Sequence, residues 1–115
     1  AAQEGHEAVI TALLKAGAEV NQAADDGTTP LYIAAQEGHE AAITALLKAG
    51  AEVDKTADDG TTPLYAAAAE GHEAAITALL KAGAEVNQAA DDGTTPLYIA
   101  AQEGHEAVIT ALLKA

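Results

Sequence analysis

Residues 25–57 read DDGTTPLYIAAQEGHEAAITALLKAGAEVDKTA, and residues 58–90 read DDGTTPLYAAAAEGHEAAITALLKAGAEVNQAA. Residues 91–115 repeat the first 25 positions of this unit, and residues 1–24 supply its last 24. The period is 33 residues throughout, marked by Gly5, Gly38, Gly71 and Gly104. A fixed period of this length is the signature of an array of stacked units. No linker or shift in composition interrupts it. The sequence therefore reads as one domain over residues 1–115, with partial units at 1–24 and 91–115 and complete units at 25–57 and 58–90.

Each unit carries two helices. Thr29 is a good N-cap, and Pro30 fits the first helical position, where its missing N–H would have had no partner anyway. That helix runs through Leu31, Ala34 and Ala35 and ends at Gly38, a C-cap glycine. A second helix follows His39, from about Glu40 to Ala49, with Ile43, Leu46 and Leu47 at i, i+3, i+4 spacing and Gly50 as its terminator. The rest of the unit is an extended arm and a tight turn at Asp58-Asp59-Gly60, where glycine accepts a positive φ and Asp bonds nearby backbone. Helices of two to three turns do not persist alone in water. Each must bury its apolar stripe against a neighbour, so identical units stack side by side and nearest-neighbour coupling dominates.

The residues that carry this pattern also carry a family resemblance. Gly27, Thr29, Pro30, Leu31, Ala34, Ala35, Gly38, His39, Leu46, Leu47, Gly50, Ala51 and Val53 resemble the ankyrin-repeat consensus, and the resemblance covers the whole chain. It implies an all-α, ankyrin-repeat solenoid of stacked helix-turn-helix units with β-turn or hairpin-like arms. Two departures stand out. Tyr32, Tyr65 and Tyr98 occupy the place where the family most often has His, and Ala24, Ala57 and Ala90 the place where an Asp commonly precedes the turn. Both bear on the family's inter-repeat hydrogen bonds around the turn.

Composition narrows the function. Phe, Trp, Met and Cys are absent, so Ala, Leu, Ile and Val build the interior and let helices approach closely. The formal net charge of −13, with only 5 basic residues, argues against nucleic acid and against anionic membrane surfaces. No apolar run approaches the roughly 18 residues of a membrane span, and no signal-peptide pattern opens the sequence. Lack of cysteine removes disulfides, thiolate metal sites and thiol nucleophiles together.

Catalytic constellations are missing from the pattern. Without Ser or Cys, no Ser/His/Asp or Cys/His arrangement assembles, and His39-Glu40 lacks the second His of a metalloprotease helix. His6, His39, His72 and His105 recur at the period, so stacking spaces them about 10 Å apart, too far to share one metal. They read as hydrogen-bonded structural residues. The pairs Asp25-Asp26, Asp58-Asp59 and Asp91-Asp92 suggest a calcium loop, but aligning Gly60 as its glycine puts Lys55 and Ala57 where oxygens are needed. They read as a solvated acidic edge. The expectation is a protein without enzymatic activity, cofactor or metal.

The resemblance implies a protein-binding surface at the turn tips and the inward face of the first helix. By position these are Asp25, Asp26, Thr28, Tyr32, Gln36 and Glu37 in the first complete unit. In the second they are Asp58, Asp59, Thr61, Tyr65, Ala69 and Glu70, and in the last Asp91, Asp92, Thr94, Tyr98, Gln102 and Glu103. This surface varies only at Gln36, Ala69 and Gln102, whereas recognition of one irregular partner favours a few distinct anchors. Other variation is expected inside, at Ile33, Ala66 and Ile99 and at Val9, Ala42, Ala75 and Val108. Neither terminus carries a polar capping unit. Val9, Ile10, Leu13 and Leu14 at one end and Ile109, Leu112 and Leu113 at the other keep the interior pattern, and copies are expected to associate head to tail. Two functional readings follow. One is an engineered or consensus-type scaffold with no natural target; the other is a piece of a natural ankyrin protein with duplicated repeats, binding a basic or polar protein surface.

Overall fold

Threonine, proline and glycine set the helix boundaries in the computed structural model, which describes residues 23–115. Thr29, Thr62 and Thr95 sit in extended backbone, and each accepts the N–H three residues on, that of Tyr32, Tyr65 or Tyr98. The first helices are α1 (Pro30–Glu37), α3 (Pro63–Glu70) and α5 (Pro96–Glu103). Each ends at a glycine in the left-handed region, Gly38, Gly71 or Gly104. Reversing the chain there starts the second helices, α2 (Glu40–Lys48), α4 (Glu73–Lys81) and α6 (Glu106–Lys114). Glutamate in their first turn and lysine in their last oppose the helix macrodipole favourably. Among the described residues all regular structure is helical.

The second helices stop one residue earlier than their periodicity predicts. Ala49 is the C-cap with φ −84°, and Gly50, at φ 98°, follows it. The arms carry the expected β-turns. The turn at 57–60 closes by Gly60 N–H to Ala57 O (2.9 Å) and Ala57 N–H to Thr61 O (2.9 Å). With so few cross-arm bonds, no strand ladder forms among the described residues.

Units stack side by side, as expected, and their helices form two layers. First helices pack on one another, α1 on α3 and α3 on α5, and second helices pack as α2 on α4 and α4 on α6. Each unit's own two helices pack on one another and so join the layers. The continuous core runs through Leu31, Ala34, Ala35, Ile43 and Leu46 into Leu64, Ala67, Ala68, Ile76 and Leu79, then Ala100, Val108 and Leu112. Alanine at the closest positions is what lets successive first helices approach.

One interior expectation needs correction. Ile33 is 44% exposed. Among the described first helices α1 packs against α3 alone, and Ile33 lies in line with exposed Glu37 one turn on, while Ile99 packs partly buried against the core. At the equivalent place in α3, flanked by α1 and α5, the methyl of Ala66 is 4% exposed. The Ala42, Ala75 and Val108 series is interior as expected, at 1%, 0% and 0% exposure. The expected outer face at Val9, Ile10, Leu13 and Leu14, and His6, lie outside the described residues.

Candidate functional site

The turn tips and the first-helix layer form the candidate surface, and its two aspartates per turn have different jobs. The second Asp of each pair accepts bonds from its own turn. Asp59 Oδ1 takes the Thr61 N–H (3.1 Å) and the Thr61 hydroxyl (2.6 Å). Asp26 does the same with Thr28 (3.1 and 2.7 Å), and Asp92 with Thr94 (3.0 and 2.6 Å). The Thr28 hydroxyl, then its N–H, holds the Asp26 carboxyl below its ordinary pKa, and Thr94 acts likewise on Asp92. The first Asp of the second and third pairs instead donates its N–H to the preceding turn. Asp58 reaches Asp26 O (2.9 Å) and Asp91 reaches Asp59 O (3.0 Å).

The tyrosines complete this network. Tyr32 Oη lies 2.8 Å from Thr61 Oγ1, and Tyr65 Oη lies 2.9 Å from Thr94 Oγ1. The threonine proton is already committed to a carboxylate, which only accepts, so the tyrosine must donate to the threonine. The two junctions from Tyr32 and Tyr65 thus each carry a directed relay, Tyr to Thr to Asp, from one unit into the next. Burial raises the Tyr32 pKa, keeping its hydroxyl in the donating form. Tyrosine therefore supplies an inter-unit hydrogen bond of its own where the family most often has His.

Histidine works across the same junctions. His105 Nε2–H donates to Ala69 O in the preceding unit (3.0 Å), which fixes its tautomer. A Cβ on Gly71 would come within 2.7 Å of His105 Nδ1, and one on Gly38 within 2.7 Å of His72 Nδ1. On the arms, Glu85 N–H reaches both carboxylate oxygens of Asp54 (3.1 and 3.2 Å). None of Thr61, Thr94, Asp54 or His105 is singled out as a junction residue by the 33-residue pattern. The signal available was the Asp-x-Thr spacing, which builds an Asx-type turn and points the threonine hydroxyl sideways.

These bonds sort the expected binding residues. Asp25, Asp26, Asp58, Asp59, Asp91 and Asp92 are exposed, as are Glu37, Glu70 and Glu103. Gln36 and Ala69 are partly exposed and Gln102 is exposed. Thr28, Thr94, Tyr32 and Tyr65 are half-buried, and Thr61 is buried with its hydroxyl engaged on both sides. Tyr98 is 58% exposed. Removing the Tyr65 hydroxyl (Tyr65→Phe) should cost about 0.5–1.5 kcal/mol, one junction hydrogen bond, while Tyr98→Phe stays within about 0.5 kcal/mol. Urea denaturation midpoints of the two variants check the difference.

Charge is segregated across the two layers. Among the described residues every charged side chain at the turn tips and on the first helices is a carboxylate. Lys48, Lys81 and Lys114 end the second helices, and Lys55 lies in an arm. Shallow grooves run between second helices, one lined by Glu40, Thr44, Leu47 and Lys48 of α2 against Thr77 and Lys81 of α4. Mixed charge in these grooves gives no single sign to a ligand. Among the described residues no three His, Asp or Glu side chains converge to hold a metal ion, and no helix is long and apolar enough to cross a membrane.

Comparison with known proteins bears on the same residues. A family model described as ankyrin repeats (3 copies) matches residues 1–90 and, in a second placement, residues 53–115. No curated protein matches the chain. Together the two placements take in every unit of the 33-residue pattern, with its threonine-capped first helix, left-handed glycine and junction histidine, and the chain belongs to the ankyrin-repeat family.

Proposed function

We propose that this chain is a consensus-type, non-catalytic interaction scaffold whose acidic turn-tip edge and first-helix face take basic protein segments. Ankyrin repeats are generally protein-interaction modules and typically non-catalytic scaffolds. The observation that carries the finer reading is the charge segregation. Among the described residues carboxylates are the only charged groups at the tips and on the first helices, while the lysines lie on the second helices and an arm. The residues recur almost unchanged from unit to unit, so recognition is by periodic charge more than by a single anchor. On this reading the partners are of two kinds, a basic segment on the acidic edge and a second copy at an outer repeat face.

A charge-matched pair of variants tests the acidic edge. One carries Asp58→Asn, Glu70→Gln and Asp91→Asn, which leaves the Asp59 and Asp92 turn bonds intact. The other carries Glu40→Gln, Glu73→Gln and Glu106→Gln on the second-helix layer. Affinity for a ten-residue oligolysine peptide, measured by calorimetry at 0.15 M salt, should fall about tenfold for the first and change little for the second. Equal losses would mean that the peptide senses net charge alone, and would overturn the site.

A further inference from the structure

The second helices present a patterned face that stacking leaves open. Glu40, Thr44 and Lys48 are exposed on α2, and Glu73, Thr77 and Lys81 in the same places on α4. Helix α6 repeats the set. Spacing of i, i+4 and i+8 puts the three on one side of the helix. The two charges stand about 12 Å apart along the axis, with the threonine midway. Because α2, α4 and α6 pack side by side, the layer carries a row of carboxylates along one margin and a row of ammonium groups along the other. Both rows repeat at about 10 Å. Among the described residues none of these charged side chains makes an ion pair or hydrogen bond.

The strip between the rows can be covered at little cost. The Thr77 and Thr110 hydroxyls donate to carbonyls of their own helices, those of Glu73 and Glu106 (3.1 Å each), so dehydration leaves neither donor unmet. Leu47, half-buried, lines the groove beside Thr44 and Lys48 and adds apolar area.

A face with opposite charges in rows equidistant from its midline is its own complement. Turned over about a twofold axis along the threonine row, a second copy lays each helix antiparallel on its counterpart, and every lysine meets a glutamate. An axis along the helices would instead set lysine on lysine. Register follows from the shared repeat, since a slip of one unit leaves the outermost helix of each copy unpaired.

We propose that the second-helix layer docks a second copy of this chain in a closed dimer, the Lys48, Lys81 and Lys114 row of each against the glutamate row of the other. The contact is isologous, so assembly stops at two. Exposed ion pairs are weak singly, so the dimer depends on whole rows and weakens with salt. Each contacting helix is neutral, and the carboxylates of the turn tips and first helices, which supply much of the net charge of −13, lie on the other layer. No turn-tip or first-helix residue takes part, so the contact stands or falls separately from the acidic-edge reading.

Sedimentation equilibrium on the full chain, across a hundredfold concentration range, tests the contact. Average mass should climb from 11.5 kDa toward twice that value, with association at least about tenfold weaker at 0.5 M than at 0.05 M salt. Two charge-reversed chains supply the specific test. One carries Glu40→Lys, Glu73→Lys and Glu106→Lys, and the other Lys48→Glu, Lys81→Glu and Lys114→Glu, all at exposed positions, with folding checked by circular dichroism. Each should stay monomeric alone, and the two should form a one-to-one dimer when mixed. The lysine-faced chain has a smaller net charge than the parent, so its failure to self-associate separates pairing of rows from general repulsion. The parent's own salt response needs no variant. A constant monomer mass, association that strengthens with salt, self-association of the lysine-faced chain as tight as the parent's, or absence of the mixed dimer would each overturn the proposal.

Discussion

Gly71→Ala is expected to destabilise the chain by about 2–5 kcal/mol, and Gly104→Ala by only about 1–2 kcal/mol. Both glycines cap a first helix in the left-handed region, at φ 78° and φ 74°, so a Cβ strains the backbone equally at either site. That shared strain is the whole of the Gly104 effect, because nothing lies within 4 Å of its Cβ position. At Gly71 the new methyl would stand 2.7 Å from His105 Nδ1 and 2.9 Å from its Cε1. The ring must shift, and its 3.0 Å bond to Ala69 O weakens with it. Overpacking of this kind adds about 1–3 kcal/mol. Guanidinium denaturation of the two variants measures the difference directly. Equal losses would mean that backbone conformation alone demands the glycine, and that the histidine contact contributes nothing to coupling between units.

This contrast marks where the sequence stops being legible. Thr29, Pro30 and Gly38 announce the first helix because capping chemistry is local, and the observed bounds follow those residues. The second helix is readable from Ile43, Leu46 and Leu47 to within one residue of its end. A repeat period also reveals that units must stack. It does not reveal which atom of one unit meets which atom of the next, since every unit carries the same letters. Hence the division of labour within Asp58-Asp59, the donor role of Tyr32 and the reach of His105 to Ala69 emerge only in three dimensions. Ile33 illustrates the converse error. Its apolar character suggests an interior place, yet it is 44% exposed. Ala66, at the same place between two other first helices, is buried, and Ile99 packs partly buried against the core. Cover at this position is therefore set by neighbouring units and not by the helix's own pattern. The candidate surface was readable as an acidic edge, because charge at a turn tip faces water whatever the packing. Thr61, polar and beside the tip, is 6% exposed because a junction closes over it.

Leu64→Ala should cost about 3–5 kcal/mol, and Leu97→Ala about half as much, although the two residues occupy the same place in their units. Leu64 is 0% exposed, on a helix flanked by both α1 and α5. Truncating it opens a cavity between layers of alanine-rich helices that have few larger side chains able to collapse into the space. Leu97 is only partly buried, so less apolar area leaves water when its helix packs, and water can fill what truncation removes. Domains of this size have total stabilities on the order of 5–15 kcal/mol, so the Leu64 variant gives up a large share of the whole. Its effect should also change the shape of unfolding. In a linear array each unit is held by its neighbours, and weakening the middle one uncouples the flanks. Circular-dichroism melts should therefore broaden for Leu64→Ala and stay as sharp as the parent for Leu97→Ala. Matching losses at the two leucines would locate the stability within each unit's own helix pair. The stacked junctions, with their relays and histidine bonds, would then only orient units that were already stable.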